Sequence, residues 1–198
     1  MHSDLESDFL TNPTRSFDPK NVVITSKKFC RRHVFRAGAV VWTKHRGKDF
    51  YVVFRSLSRP YRGIQIPGGR VERVENVAQT IIREIKEETG LDTRIVCPLG
   101  YMFFENDVDG YSNLQVFYIV RPVYPLDVKK VWQHTDKDES QQKVECWCVP
   151  VEENCEFLSH NQHEVIQMFR QWLEEHKKSD TKNQQTQILF DKKVISKK

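Results

Sequence analysis

Residues 68–91 constrain the chain more than any other stretch. Paired glycines, Gly68-Gly69, stand shortly before a run in which Ala78, Ile81, Ile82 and Ile85 recur at i, i+3, i+4 and i+7, and Gly90 follows. That spacing is one apolar helical stripe, and a glycine just past it supplies the left-handed residue on which helices commonly stop. The expectation is a glycine loop feeding a helix over 76–89. At 100° per residue, Glu84, Glu87 and Glu88 share an arc of about 100°, centred more than 90° from the apolar stripe. Three carboxylates on one exposed face repel at i, i+3 and i+4 by roughly 0.2–0.5 kcal/mol per pair, a cost that a cation among them removes. Oxygen-only ligands suit hard ions, Mg²⁺ or Mn²⁺. The loop can add a backbone carbonyl, and its N–H groups suit a phosphate oxygen.

Gly69, five residues, Glu75, seven residues, then Arg83-Glu84-Ile85-Lys86-Glu87-Glu88-Thr89-Gly90-Leu91 resembles the Nudix box at every defined position. The resemblance implies an α+β fold, an α/β/α sandwich with a mixed β-sheet, in which the box forms a loop, a helix and a loop. It implies a hydrolase that cleaves a pyrophosphate bond in a nucleoside diphosphate derivative or nucleoside triphosphate with metal-activated water. It also implies metal binding by Glu84, Glu87, Glu88 and the Gly69 carbonyl, a charged contact between Arg83 and Glu75, and catalytic roles for Glu84, Glu87 and Arg83. Which carboxylate deprotonates the water stays open. A further acid is expected from the later chain. Glu139 and Glu145 are the candidates, near Cys146-Trp147-Cys148-Val149-Pro150, which is similar to the family's late Trp-Val-Pro strand. Val74 stands where many members have glycine, and Glu72 matches an acid common after the paired glycines.

Substrate contacts are less determined. Arg55, Arg59 and Arg62 precede the glycine loop and read either as a phosphate clamp or as a solvated loop, with Glu72 as a secondary contact. Tyr101, Phe103, Phe104 and Tyr111 read either as core or as a stacking surface for a base. Cys155, His160 and His163 lack the paired spacing of a structural zinc site. Dinucleoside polyphosphates and nucleotide sugars are the alternative substrates. A non-catalytic nucleotide sensor is the alternative class, set against by the complete acidic triad.

Around the box, 33–44 and 49–56 read as a hairpin and 63–69 as a short strand stopped by Pro67. Residues 93–104, 112–124 and 143–149 read as strands, and 163–178 as a helix with Val165, Ile166, Phe169, Trp172 and Leu173 on one side. The expected organisation is an N-terminal extension over 1–30, one domain over 31–178 and a polar tail over 179–198. Cys146 and Cys148 are read as strand thiols, one inward and one outward.

The formal charge of +4 points to no nucleic-acid surface, because residues 177–198 hold seven Lys and two Asp and leave the remainder at −1. Five cysteines without a CxxC pair fit reduced thiols. The uncharged stretches 95–104 and 110–120 are far short of the roughly 18 apolar residues of a membrane span. With no leader pattern at MHSDLESD, the expected location is cytoplasmic, and the expected partner a phosphorylated small molecule, with homodimerisation as a further expectation.

Overall fold

The β-rich run interrupted by Arg46-Gly47 forms the hairpin expected of it. In the computed structural model, which describes residues 33–106, 111–135, 142–156 and 162–177, β1 (His33–His45) and β2 (Lys48–Ser56) pair antiparallel from Trp42↔Tyr51 to His45↔Lys48. Arg46 and Gly47 both have positive φ, 49° and 80°. Two left-handed residues in a row give the turn whose twist matches that of the strands it joins. Beyond Trp42 the two strands part. The gap takes in β3 (Ile64–Gln65), paired to β2, and β4 (Gly68–Arg70), paired to β1. The glycine loop is thereby held as sheet, with Ala39 N–H donating to Pro67 O at 2.9 Å and Val71 N–H to Phe35 O at 3.0 Å.

β5 (Thr93–Asn106), β6 (Tyr111–Pro122), β7 (Trp132–Thr135) and β8 (Lys143–Pro150) complete a sheet of order β5-β6-β1-β2-β8-β7. β1 and β6 run parallel from His33↔Ser112 to Val41↔Val120, and the other pairings are antiparallel, so the sheet is mixed.

Alternation along the strands divides the core in two. Val40, Tyr51, Val53, Phe117, Ile119 and Val149 face one way and meet Val165, Ile166, Phe169 and Leu173 of α2 (162–177). Ala37, Ala39, Val41, Val52, Val116, Tyr118 and Cys148 face the other way and meet Val77, Ile81 and Ile85 of α1 (Val77–Thr89). Full burial of each Val, Ile, Leu or Phe side chain contributes about 1.5–3 kcal/mol, which fixes both helices on the sheet. The result is the expected α/β/α layering.

Two expectations need correction. Cys146 and Cys148 are two apart in β8 and therefore share a face. Both are buried on the α1 side, and burial pushes their thiols up to about 12 and about 11. Strand β7 was not expected, because Trp-Gln-His-Thr has no run of β-formers. It is held by pairing to β8 and by Trp132 Nε1–H donating to Thr89 O at 2.9 Å. Residues 1–30 and 179–198, together with Cys30, Glu139 and His160 and the side chains of Phe104 and Tyr111, lie outside the described residues.

Candidate active site

Helix α1 begins with a reciprocal cap: Asn76 Oδ1 accepts from Gln79 N–H, and Gln79 Oε1 accepts from Asn76 N–H, both at 2.9 Å. It ends at Gly90 with φ 76°. Between these caps the buried positions are Val77, Thr80, Ile81, Ile85 and Thr89, a stripe rotated toward the glutamates compared with the one read from 78, 81, 82 and 85. The glutamates are therefore not on an exposed face. Glu84 lies under the glycine loop with its side chain 14% exposed, and Glu87 is 26% exposed.

The loop explains its own glycine. A Cβ on Gly69 would fall inside the Glu84 carboxylate, so any side chain there would expel the acid from its seat. Beside it, Gly68 N–H donates to Glu88 Oε2 at 2.8 Å, joining loop to helix across 20 residues.

Arg83 organises the rest. Its Nε donates to Glu75 Oε1 at 2.6 Å and its Nη2 to Glu75 Oε2 at 2.9 Å. Nη2 also reaches Arg70 O at 3.2 Å. Nη1 lies between the acids and donates to Glu84 Oε1 at 2.9 Å and Glu87 Oε2 at 2.8 Å. Thr80 Oγ1 donates to Glu75 Oε2 at 2.9 Å. Hydrogen bonds from Arg83 hold the Glu75 carboxyl below its ordinary range. Glu84 is displaced in the opposite sense: burial raises its carboxyl, Arg83 opposes the rise, and Glu87 adds to it.

Among the described residues no three His, Cys, Asp or Glu side chains are arranged as a ready cation cage. The cause is visible. The Arg83 guanidinium occupies the gap between Glu84 and Glu87, and Glu88 turns to the Gly68 amide. The donors nevertheless fit a hard divalent ion. They are carboxylate oxygens, one of them desolvated beyond what Arg83 offsets, and the loop that seats it leaves no room for a side chain.

The other sequence candidates lie apart from this cluster or on its rim. Glu72 is 62% exposed, its Oε1 4.0 Å from Arg83 Nη2. Arg55 and Glu145 pair with each other across β2 and β8, Arg55 Nη2 to Glu145 Oε2 at 2.6 Å, and the guanidinium lies 5.7 Å from the Trp147 ring centroid. By strand alternation this pair is on the α2 side of the sheet. Arg59 precedes the exposed turn Pro60–Arg62 and Arg62 ends it. Tyr101 packs in the α1-side core, and Phe103, two residues on, shares that face and is 51% exposed.

Sequence reasoning missed a cavity beside the loop. It has a volume of about 180 Å³ and is lined by Arg36, Gln65, Ile66, Gly68, Gln115, Phe117 and Gln162. Arg36 on β1 and Gln115 on β6 are polar residues in register, sharing by alternation the α2 face of the sheet with Val40 and Phe117, a signal visible only once the pairing is known.

Comparison with known proteins agrees with this geometry. The family model described as the NUDIX domain matches residues 32–182. A Bacillus subtilis (strain 168) protein provisionally named as an 8-oxo-dGTP diphosphatase is 32% identical over 83 residues, 42% of this chain and 48% of that protein. An ADP-ribose pyrophosphatase of Methanocaldococcus jannaschii is 34% identical over 79 residues, 39% of this chain and 43% of that protein. The chain thus spans about half the length of the curated relatives it matches. Among solved structures, a C. elegans Ap4A hydrolase in a binary complex superposes with a TM-score of 0.54 at 20% identity, covering 71% of this chain and 97% of that one, which is a likeness of fold. With the family match spanning most of its residues and the loop-and-helix motif in place, the chain belongs to the NUDIX family.

Proposed function

We propose that this protein hydrolyses the phosphoanhydride bond of a nucleotide derivative, with Mg²⁺ or Mn²⁺ held by Glu84, Glu87, Glu88 and the Gly69 carbonyl. The observation that carries this reading is the seat of Glu84: a desolvated carboxylate against a glycine where no side chain fits, gripped by an arginine that is itself anchored on Glu75. The named activities of the two curated relatives, both diphosphatases or pyrophosphatases of nucleotide compounds, support it.

A divalent cation bound there supplies Lewis acidity, offsetting anhydride charge and acidifying water. Glu75 keeps Arg83 on the loop through Nε and Nη2, so that Nη1 can leave Glu84 and Glu87 without the guanidinium departing. Glu84 Oε2, the oxygen not bonded to Arg83, takes the proton from the attacking water, a transfer worth roughly 10²–10⁴-fold. Free thiols at Cys97, Cys146, Cys148 and Cys155 support residence in a reducing compartment such as the cytoplasm.

A nucleotide-sensing module is the competing reading, and the observation on its side is Arg83 Nη1 occupying the gap between Glu84 and Glu87. The two separate in one assay. Nucleoside triphosphates, ADP-ribose, a nucleotide sugar and a dinucleoside polyphosphate are incubated with Mg²⁺ and the products resolved, with Glu87→Gln alongside. Turnover that disappears in the variant supports the hydrolase. Binding without turnover of any compound supports the sensor.

A further inference from the structure

The last carbonyls of a helix have no partner within it. At the end of α1, Lys86 O accepts from Gly90 N–H at 3.0 Å, Thr89 O accepts from Trp132 Nε1–H at 2.9 Å, and Glu88 O accepts from the Cys146 thiol at 3.7 Å. Trp132 and Cys146 lie directly opposite each other across β7 and β8, so both leave the sheet on its α1 face. His134, two residues on and on the same face, lays its ring against Gly90, where a Cβ would come within 2.9 Å of Nδ1. The β7–β8 ribbon thus touches three consecutive residues, Glu88, Thr89 and Gly90. The bond that holds β7 in the sheet also holds the end of the helix.

The indole is fixed by packing before it bonds. Its ring lies against both the α1-side core and the smaller cluster of Phe54, Val144 and Cys146, which sets the direction of its N–H. Thr89 is 1% exposed, so losing this donor strands a buried acceptor. The axial position of α1 matters because Glu88 links ribbon and loop: its carbonyl meets Cys146, and its Oε2 accepts from Gly68 N–H at 2.8 Å. Glu84, one turn earlier, fills the space that a side chain on Gly69 would need. A helix rises about 1.5 Å per residue, and displacing a reacting group by about 1 Å can cost on the order of 10²-fold. A slip of less than one residue therefore undoes the seat.

Resting on the proposed hydrolase reading for its consequence, we propose that Trp132 is a positioning residue for the acidic cluster: its indole N–H fixes the C-terminal end of α1 on the β7–β8 ribbon, and through the helix sets Glu84, Glu87 and Glu88 against the glycine loop.

The test measures geometry and turnover separately. Trp132→Phe keeps an aromatic ring in both clusters and removes the donor. Amide hydrogen exchange of the full chain in metal-free buffer is followed at Gly68, bonded to Glu88, and at Ile66, bonded to Gln162 of α2. The rate at Gly68 relative to Ile66 should rise about tenfold in the variant. With Mg²⁺ and a nucleotide that the wild type hydrolyses, kcat should fall about tenfold while KM changes little. Cys146→Ala, which removes the weaker contact at Glu88 O, should shift the ratio in the same direction and by less. Leu173→Ala removes a buried side chain from the α2-side core, so it should lower the melting temperature without raising the ratio or reducing kcat. A ratio at the wild-type value in Trp132→Phe, an equal rise in Leu173→Ala, or a raised ratio with kcat unaltered overturns the proposal. A raised ratio in a protein that hydrolyses no nucleotide upholds the positioning of α1 and overturns the hydrolase. Mg²⁺-dependent hydrolysis with an unchanged ratio does the reverse.

Discussion

Arg83 holds Glu75 through two parallel bonds, Nε to Oε1 at 2.6 Å and Nη2 to Oε2 at 2.9 Å. This fork is the firmest polar link between the loop and the helix, because both planar groups are engaged edge to edge.

The fork makes stability depend on pH in a defined direction. Arg83 lowers the folded Glu75 carboxyl below its ordinary 4.5. The stabilisation is therefore complete above that unfolded value and is lost as pH falls through the lower folded one. Glu75→Gln should cost about 1.5–3 kcal/mol at pH 7. Urea unfolding at stepped pH should show the gap between variant and wild type closing below the carboxylate range.

Glu84 has the opposite sign. Burial raises its carboxyl, so stability is greatest while the group is protonated and falls as pH rises through the raised folded value. In metal-free buffer at pH 7, Glu84→Gln should match or exceed the wild-type melting temperature. The same substitution should reduce Mg²⁺-dependent turnover by roughly 10²-fold or more.

Gly69→Ala tests the seat itself. Gly69 has no left-handed backbone requirement, so the whole effect comes from a methyl group meeting the Glu84 carboxylate. Displacing a reacting group by about 1 Å can cost on the order of 10²-fold. The expected outcome is a loss of that size in kcat/KM, together with weaker Mn²⁺ binding measured by titration.

Glu145→Gln should lack the penalty of removing a general base, roughly 10²–10⁴-fold. Its carboxylate is engaged by Arg55 on the α2 side of the sheet. A rate loss in that range, measured with saturating substrate, would place Glu145 in the chemistry.

Much of the architecture was legible because it rests on local period and stop signals. The α1 boundaries follow from Asn76 and Gly90, and the hairpin from Arg46-Gly47 between two β-branched runs. The apolar side of α2 follows from Val165, Ile166, Phe169 and Leu173. The charged contact of Arg83 with Glu75 was legible through family resemblance. What stayed hidden depends on tertiary placement. Periodicity could not show that α1 is rotated to tuck Glu84 beneath the loop, because that rotation depends on how Val77, Ile81 and Ile85 pack against the sheet residues that share their core. Nor could spacing show that Arg55 meets Glu145 across 90 residues, or that Gln162 closes a cavity built on β1 and β6.

The bond from Ile66 N–H to Gln162 Oε1 spans 96 residues of chain. On a ribosome, the rim of the loop acquires this anchor only after α2 has been synthesised, when the α2-side apolar surface of the sheet is covered as well. A nascent chain halted before residue 162 already carries every acidic residue of the box, yet has a bare α2-side sheet face and an untethered rim, so the order of synthesis sets the order in which the loop is anchored: Glu75 and Glu88 first, Gln162 after them.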